Sequence, residues 1–139
     1  MEKSMFFQKS IQFSRSFTKK LNERLIKIGL SYSQWMIVYY LKQLGPVTLV
    51  EISNTLHVEK PTISRTVNRL AEQRWIEEVP SKDKRERMIQ LTKEGMEVYE
   101  KSIPIVIEFE ESLLEEMPDA DIDTAFRTIQ LLREKLQKM

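Results

Sequence analysis

Apolar positions recur at helical spacing from Phe6 to Ile28, through Phe13, Phe17, Leu21 and Leu25, and Gly29 follows where a helix C-cap belongs. This pattern predicts a long first helix. Ser31 or Ser33 then caps a second helix containing 35-WMIVYYL-41, which is apolar all round, predicts the most buried segment and stops at Gly45-Pro46. Thr48 and Glu51 form a Ser/Thr-x-x-Glu capping box before Leu49, Ile52 and Leu56, a helix of about two turns. The tight turn 57-HVEK-60 follows, and then the helix 60-KPTISRTVNRLAEQRW-75.

In that helix Ile63, Val67 and Leu70 fall on one stripe with Ala71 at its edge, so it packs on one side only. Arg65, Asn68 and Arg69 project from the opposite side, flanked by Thr62 and Ser64. Their planar forks and small hydroxyls pair with base edges and phosphates. Pro61 lies in the first turn, where its missing N–H costs nothing, so these polar groups sit at an exposed helix entrance. A short helix, a tight turn and a second helix make a helix-turn-helix, whose second helix enters the major groove. His57 occupies the turn position where glycine would be easiest, and is read as a helix-ending residue in the left-handed region.

Beyond Trp75 the period changes: 76-IEEVP-80 and 87-RMIQL-91 alternate as strands do, joined by the charged tip 81-SKDKRE-86. A β-hairpin directly after a helix-turn-helix is a wing. Its Lys82, Lys84, Arg85 and Arg87 are placed to reach the neighbouring minor groove or its phosphates. From Thr92, read as an N-cap, a helix carries Val98, Tyr99, Ile103, Val106 and Ile107 towards Leu113, with Pro104 expected to interrupt and kink it. A break at Met117-Pro118 precedes a last helix over 119–139, with Ile122, Phe126, Ile129, Leu132 and Leu136 as its stripe. The fold class is therefore mainly α with a small β-hairpin.

The ordered set resembles the MarR-type (multiple antibiotic resistance) winged-helix transcription regulators. The resemblance is carried by Ser31 to Trp35 leading a buried helix, by 60-KPTISRTVNRL-70 and above all by 83-DKRERMIQLTKEG-95, with its Asp-x-Arg followed by Leu-Thr-x-x-Gly. It covers 31–99 by motif and the rest by helix pattern. It implies an obligate homodimer of interlocked terminal helices, most often a repressor, that places two winged lobes on a roughly palindromic operator. It also implies that Asp83 orients a nearby arginine, and that a small phenolic or amphipathic ligand binds where terminal helices meet the winged lobe. Phe13, Tyr32, Trp35 and Tyr39 are the candidate lining, with membership of the ordinary core as the other reading of these aromatics. Two positions depart from the family: Glu59, where a Ser N-cap is common, and His57, where Gly is common.

Composition narrows the function further. In 139 residues there are no cysteines and one histidine, which removes thiol chemistry and makes histidine-based metal sites improbable. No nucleophile-base pair or phosphate loop can be assembled, so the chain is read as neither an enzyme nor a cofactor or metal protein. Asp119, Asp121 and Asp123 lack the glycine and glutamate of a calcium loop and read as acidic helix-start residues. No signal-peptide core or membrane span is evident, so a complete cytoplasmic protein is expected.

The formal charge of +1 hides a gradient: 8 basic and 2 acidic residues in 1–45, 8 and 7 in 46–92, and 6 and 12 in 93–139. The near-neutral middle means that DNA binding must rest on the placement of individual arginines. It also keeps open a competing reading, a winged-helix protein-interaction module without specific DNA binding. The expected organisation is an N-terminal dimerisation helix over 1–30, a DNA-binding lobe over 31–92 with Thr62, Ser64, Arg65, Asn68, Arg69, Lys82, Arg85 and Arg87 as its DNA contacts, and C-terminal dimerisation helices over 93–139.

Overall fold

A computed structural model describes residues 3–83 and 85–139; Lys84 of the expected wing tip lies outside the described residues. The order is α1 (Ser4–Leu25), a 3-10 turn (Ile26–Ile28), α2 (Tyr32–Leu44), β1 (Val47–Thr48), α3 (Leu49–Leu56), α4 (Lys60–Glu72), β2 (Ile76–Val79), β3 (Met88–Leu91), α5 (Lys93–Leu114) and α6 (Asp119–Gln137). The chain divides into two compact units, 1–107 and 108–139.

The helix boundaries in the first unit are written in local chemistry. Ser31, not Ser33, caps α2: its Oγ accepts from Gln34 N and the Gln34 side chain accepts from Ser31 N, at 3.1 and 2.9 Å. The Thr48–Glu51 box closes α3 in the same reciprocal way. His57 ends α3 at φ 55°, ψ 42°, and the next amide, Val58 N, donates back to Ser53 O. Arg74 repeats this left-handed exit after α4 at φ 65°, with Trp75 N donating to Leu70 O, so the exits of α3 and α4 rely on residues other than glycine, unlike those at Gly29 and Gly45.

The core of this unit collects the predicted stripes. Ile63, Val67 and Leu70 from α4 are buried with Ile37, Val38 and Leu41 from α2, Leu49 and Ile52 from α3, and Ile76 and Ile89 from the sheet. Leu21 and Leu25 bury the C-terminal end of α1. The most buried polar link is between α2 and α5, where Trp35 Nε1 donates to Ser102 Oγ at 2.9 Å and Ser102 Oγ donates to Tyr99 O.

The wing is a three-stranded antiparallel sheet of order β1-β3-β2. The hairpin pairs Ile76 with Leu91 and Val79 with Met88. The short β1, which the sequence pattern did not reveal, adds Val47 opposite Ile89 and Thr48 opposite Met88. It ties the start of α3 to the tip end of β3.

The Leu-Thr-x-x-Gly exit has a steric cause. Thr92 Oγ1 donates to Arg74 O at 2.7 Å and accepts from Gly95 N at 3.0 Å, so one hydroxyl caps α5 and holds the turn after α4. A Cβ on Gly95 would lie 2.0 Å from the Trp75 carbonyl oxygen, so only glycine lets α5 leave the sheet at this point. Pro104 was expected to interrupt α5; the helix instead continues through it to Leu114. Within the second unit, α6 follows Pro118 with Asp119 and Asp121 in its first turn. Phe126, Ile129, Leu131 and Leu136 are exposed on it.

Candidate nucleic-acid interface

The outward face of α4 is positioned by its buried one. Because Ile63, Val67 and Leu70 are almost fully enclosed, rotation of the helix is fixed and Arg65, Asn68 and Arg69 are held exposed on the other side. Thr62 and Ser64 are half-buried at the entrance. Arg65 folds along the helix, with Nη2 donating to Thr62 Oγ1 at 3.1 Å. Arg65 and Arg69 share a depression with Gln34 and Gln73. There Gln34 Nε2 donates to Gln73 Oε1 at 3.0 Å, which joins the start of α2 to the end of α4.

The wing brings a second set of cations beside this face. Ser64 of α4 lines one cleft of about 130 Å³ with Lys60, Arg85 and Arg87. Arg85 is 92% exposed, and Asp83 Oδ1 accepts from both its backbone N (3.0 Å) and its Nε (3.4 Å). An exposed pair of this kind contributes little to stability. Both contacts lie within the loop that joins β2 to β3. Lys82 is exposed on the same loop.

Arg87 is placed differently from the other candidate cations. Its Nε donates to Glu78 Oε1 across the hairpin, and its Nη1 donates to Asn68 Oδ1 on α4 at 3.1 Å. The wing and α4 are therefore joined by a side-chain bond. The signal for this link was faint: Glu78 and Arg87 are opposite charges on the two arms of one hairpin, but the bond of Arg87 to Asn68 spans 19 positions.

The aromatic residues do not all come together. Tyr32, Trp35 and Tyr39 form a tilted series with centroids 6.3 and 5.3 Å apart. Trp35 is a core residue, 8% exposed and anchored to Ser102. Phe13 stands apart, 65% exposed on α1 against Phe17. Tyr32 borders a cleft of about 180 Å³ whose other walls include Met36, Leu56, Thr62, Ile63 and Thr66, so the cleft reaches the inner side of the reading helix. Burial raises the Tyr32 phenol above its ordinary value, opposed by a hydrogen bond with Thr18 and reinforced by the neighbouring Tyr40.

A family model described as MarR family matches residues 28–86. The chain is 43% identical over 110 residues to the HTH-type transcriptional regulator YwoH of Bacillus subtilis (strain 168), covering 79% of this chain and 80% of that one. It is 30% identical to a solved MarR/EmrR family transcriptional regulator from Acinetobacter sp. ADP1, over the whole of both chains and with a TM-score of 0.87. The chain belongs to the MarR family. A further MarR-family structure, that of Staphylococcus aureus MarR in complex with salicylate and kanamycin, has 28% identity and a TM-score of 0.86 over 97% of this chain and 92% of that one.

Membership makes this MarR-family protein a DNA-binding regulator of transcription and not an enzyme. It also accounts for the sheet and helices around α4 as a winged helix-turn-helix with flanking helices. Among the described residues, no helix is long and apolar enough to cross a membrane.

Proposed function

We propose that the protein is a ligand-responsive repressor that binds a roughly palindromic operator as a homodimer. The observation that carries this reading is the exposed face of Arg65, Asn68 and Arg69 on α4, together with a wing on which Arg85 is exposed and bonded to Asp83. In the major groove Arg65 and Asn68 read bases, Arg69 reads or clamps, and Thr62 and Ser64 bind phosphate or bases at the helix entrance. Arg85 enters the minor groove, and Lys82 holds phosphate.

Dimerisation through helices within 1–30 and 93–139 is supported by apolar side chains that each terminal helix leaves exposed. These are Phe6, Phe7, Ile11 and Phe13 on α1, and Phe126, Ile129 and Leu136 on α6. An apolar surface of this kind is costly unless a partner covers it. Two-fold symmetry then spaces the two reading helices one turn of duplex apart.

A small phenolic or amphipathic effector suits the cleft beside Tyr32, since a ligand there would press on the side of α4 that carries Thr62, Ile63 and Thr66. The salicylate bound to the Staphylococcus aureus relative supports an aromatic acid as the chemical class. The protein works in the cytoplasm, where its DNA is.

The test is selection of duplexes from a random pool, followed by titration of the selected site at several salt concentrations. An inverted repeat bound with a steep salt dependence is the expected result. Absence of salt-dependent duplex binding would instead favour a protein-interaction module, the reading that the near-neutral charge of 46–92 supports.

A further inference from the structure

Arg85 and Arg87 of the wing each have an acidic partner, and Arg87 is also bonded to α4. Glu78 accepts from its Nε, and Asn68 Oδ1 accepts from its Nη1 at 3.1 Å. A guanidinium has donors and no acceptor, so the Asn68 atom that faces it must be the carbonyl oxygen. The amide nitrogen of Asn68 is thereby turned away from the wing, on an exposed stretch of the reading helix.

We propose that Arg87 is a specificity-determining positioning residue that locks the Asn68 amide with its donor half leading into the major groove. The proposal rests on the reading of Asn68 as a base-contacting residue. A leading amide N–H finds an acceptor on guanine (N7 and O6), on adenine (N7) and on thymine (O4), whereas cytosine offers only its N4 amino donor. Cytosine on the strand that faces Asn68 is therefore rejected. Without Arg87 the amide is free to turn by half a revolution and accept from cytosine N4, which removes the rejection while leaving the phosphate contacts as they were. Glu78 completes the device, since its carboxylate balances the Arg87 charge and holds the fork against the wing and not against the DNA backbone.

The experiment compares the full chain with the variants N68A, R87M, R87K and the double variant N68A/R87M. Each is selected on a randomised duplex pool and titrated against salt, with thermal melting to verify folding. N68A should level the preference at one base pair in each half-site, which locates the pair that Asn68 faces. R87M should admit cytosine at that same pair by on the order of tenfold relative to the parent, with other positions and the salt slope unchanged. R87K should do the same, because an ammonium keeps the charge but cannot hold a carboxylate and an amide in one planar fork. The double variant should match N68A alone. If N68A alters no position, Asn68 reads no base, and both that role and the proposal fall. If N68A levels a pair while R87M and R87K still exclude cytosine there, the proposal alone falls. It falls likewise if those two variants weaken every sequence equally, with R87M shallowing the salt slope by about one unit, the mark of a lost phosphate contact.

Discussion

Arg87 Nη1 lies 3.1 Å from Asn68 Oδ1, and this one hydrogen bond links the tip end of β3 to α4. Val67 and Leu70 of α4 are buried, as are Ile76 and Ile89 of the sheet, and Thr92 Oγ1 donates to Arg74 O at the turn after α4. Apolar packing fixes where the helix lies, but it does not choose which way an exposed amide points. The side-chain bond does. If Asn68 reads a base as proposed, a change at the wing has a route to the composition of the recognised site as well as to its affinity.

The tip of the wing provides the most direct functional test. Asp83→Ala removes a negative charge from the loop proposed to meet DNA, so charge arithmetic alone predicts tighter binding. Because Asp83 Oδ1 holds both the backbone N and Nε of Arg85, the expected result is weaker binding that reproduces part of the Arg85→Ala defect. The loss should be greatest where an A·T-rich tract flanks the half-site. Tighter binding by Asp83→Ala on such duplexes would show that the pair does not orient Arg85 for the groove.

Glu59 precedes the reading helix and makes no side-chain cap bond. Glu59→Ser should supply that bond and raise stability by about 0.5–1 kcal/mol. It should also tighten binding to all duplexes, because a carboxylate near phosphate is removed. Chemical denaturation and binding titrations at two salt concentrations check both effects.

Gly95→Ala places a methyl group 2.0 Å from the Trp75 carbonyl oxygen, against backbone that cannot swing aside. The expected cost is about 3 kcal/mol, read as a lower denaturation midpoint. A variant as stable as the parent would mean that α5 can leave the sheet by another path.

Tyr32 predicts a pH dependence. Its phenol is raised from an ordinary value of 10.0, mainly by burial, so the folded state holds the proton more tightly than the unfolded chain does. The associated stability is fully present below pH 10 and is lost as pH rises through the raised folded value. Tyr32→Phe should flatten the fall of stability above pH 10 relative to the parent, measured by denaturation across that range.

Deletion of 119–139 should yield monomeric or aggregated protein, because the exposed Phe126, Ile129 and Leu136 would no longer be available to a partner. Sedimentation is the measurement. A clean dimer after deletion would place the interface elsewhere.

Much of this protein is decided by short-range sequence. The stripe Ile63, Val67, Leu70, the Thr48–Glu51 capping box and the alternation in 76–80 and 87–91 require only neighbours within a turn or a hairpin, and the helices and wing appear where those signals lie. Thr92 and Gly95 were legible as a family pattern, but its cause, the approach of α5 to the Trp75 carbonyl, is a contact between segments that no local rule describes. The strand β1 was invisible because two residues carry no period, and it exists only where β3 offers an edge. Asp83 and Arg85, two residues apart, could be paired in the sequence; Arg87 looked like one more wing cation. Only the folded chain brings it to Glu78 and Asn68, because satisfying a guanidinium depends on which acceptors the tertiary packing carries within reach.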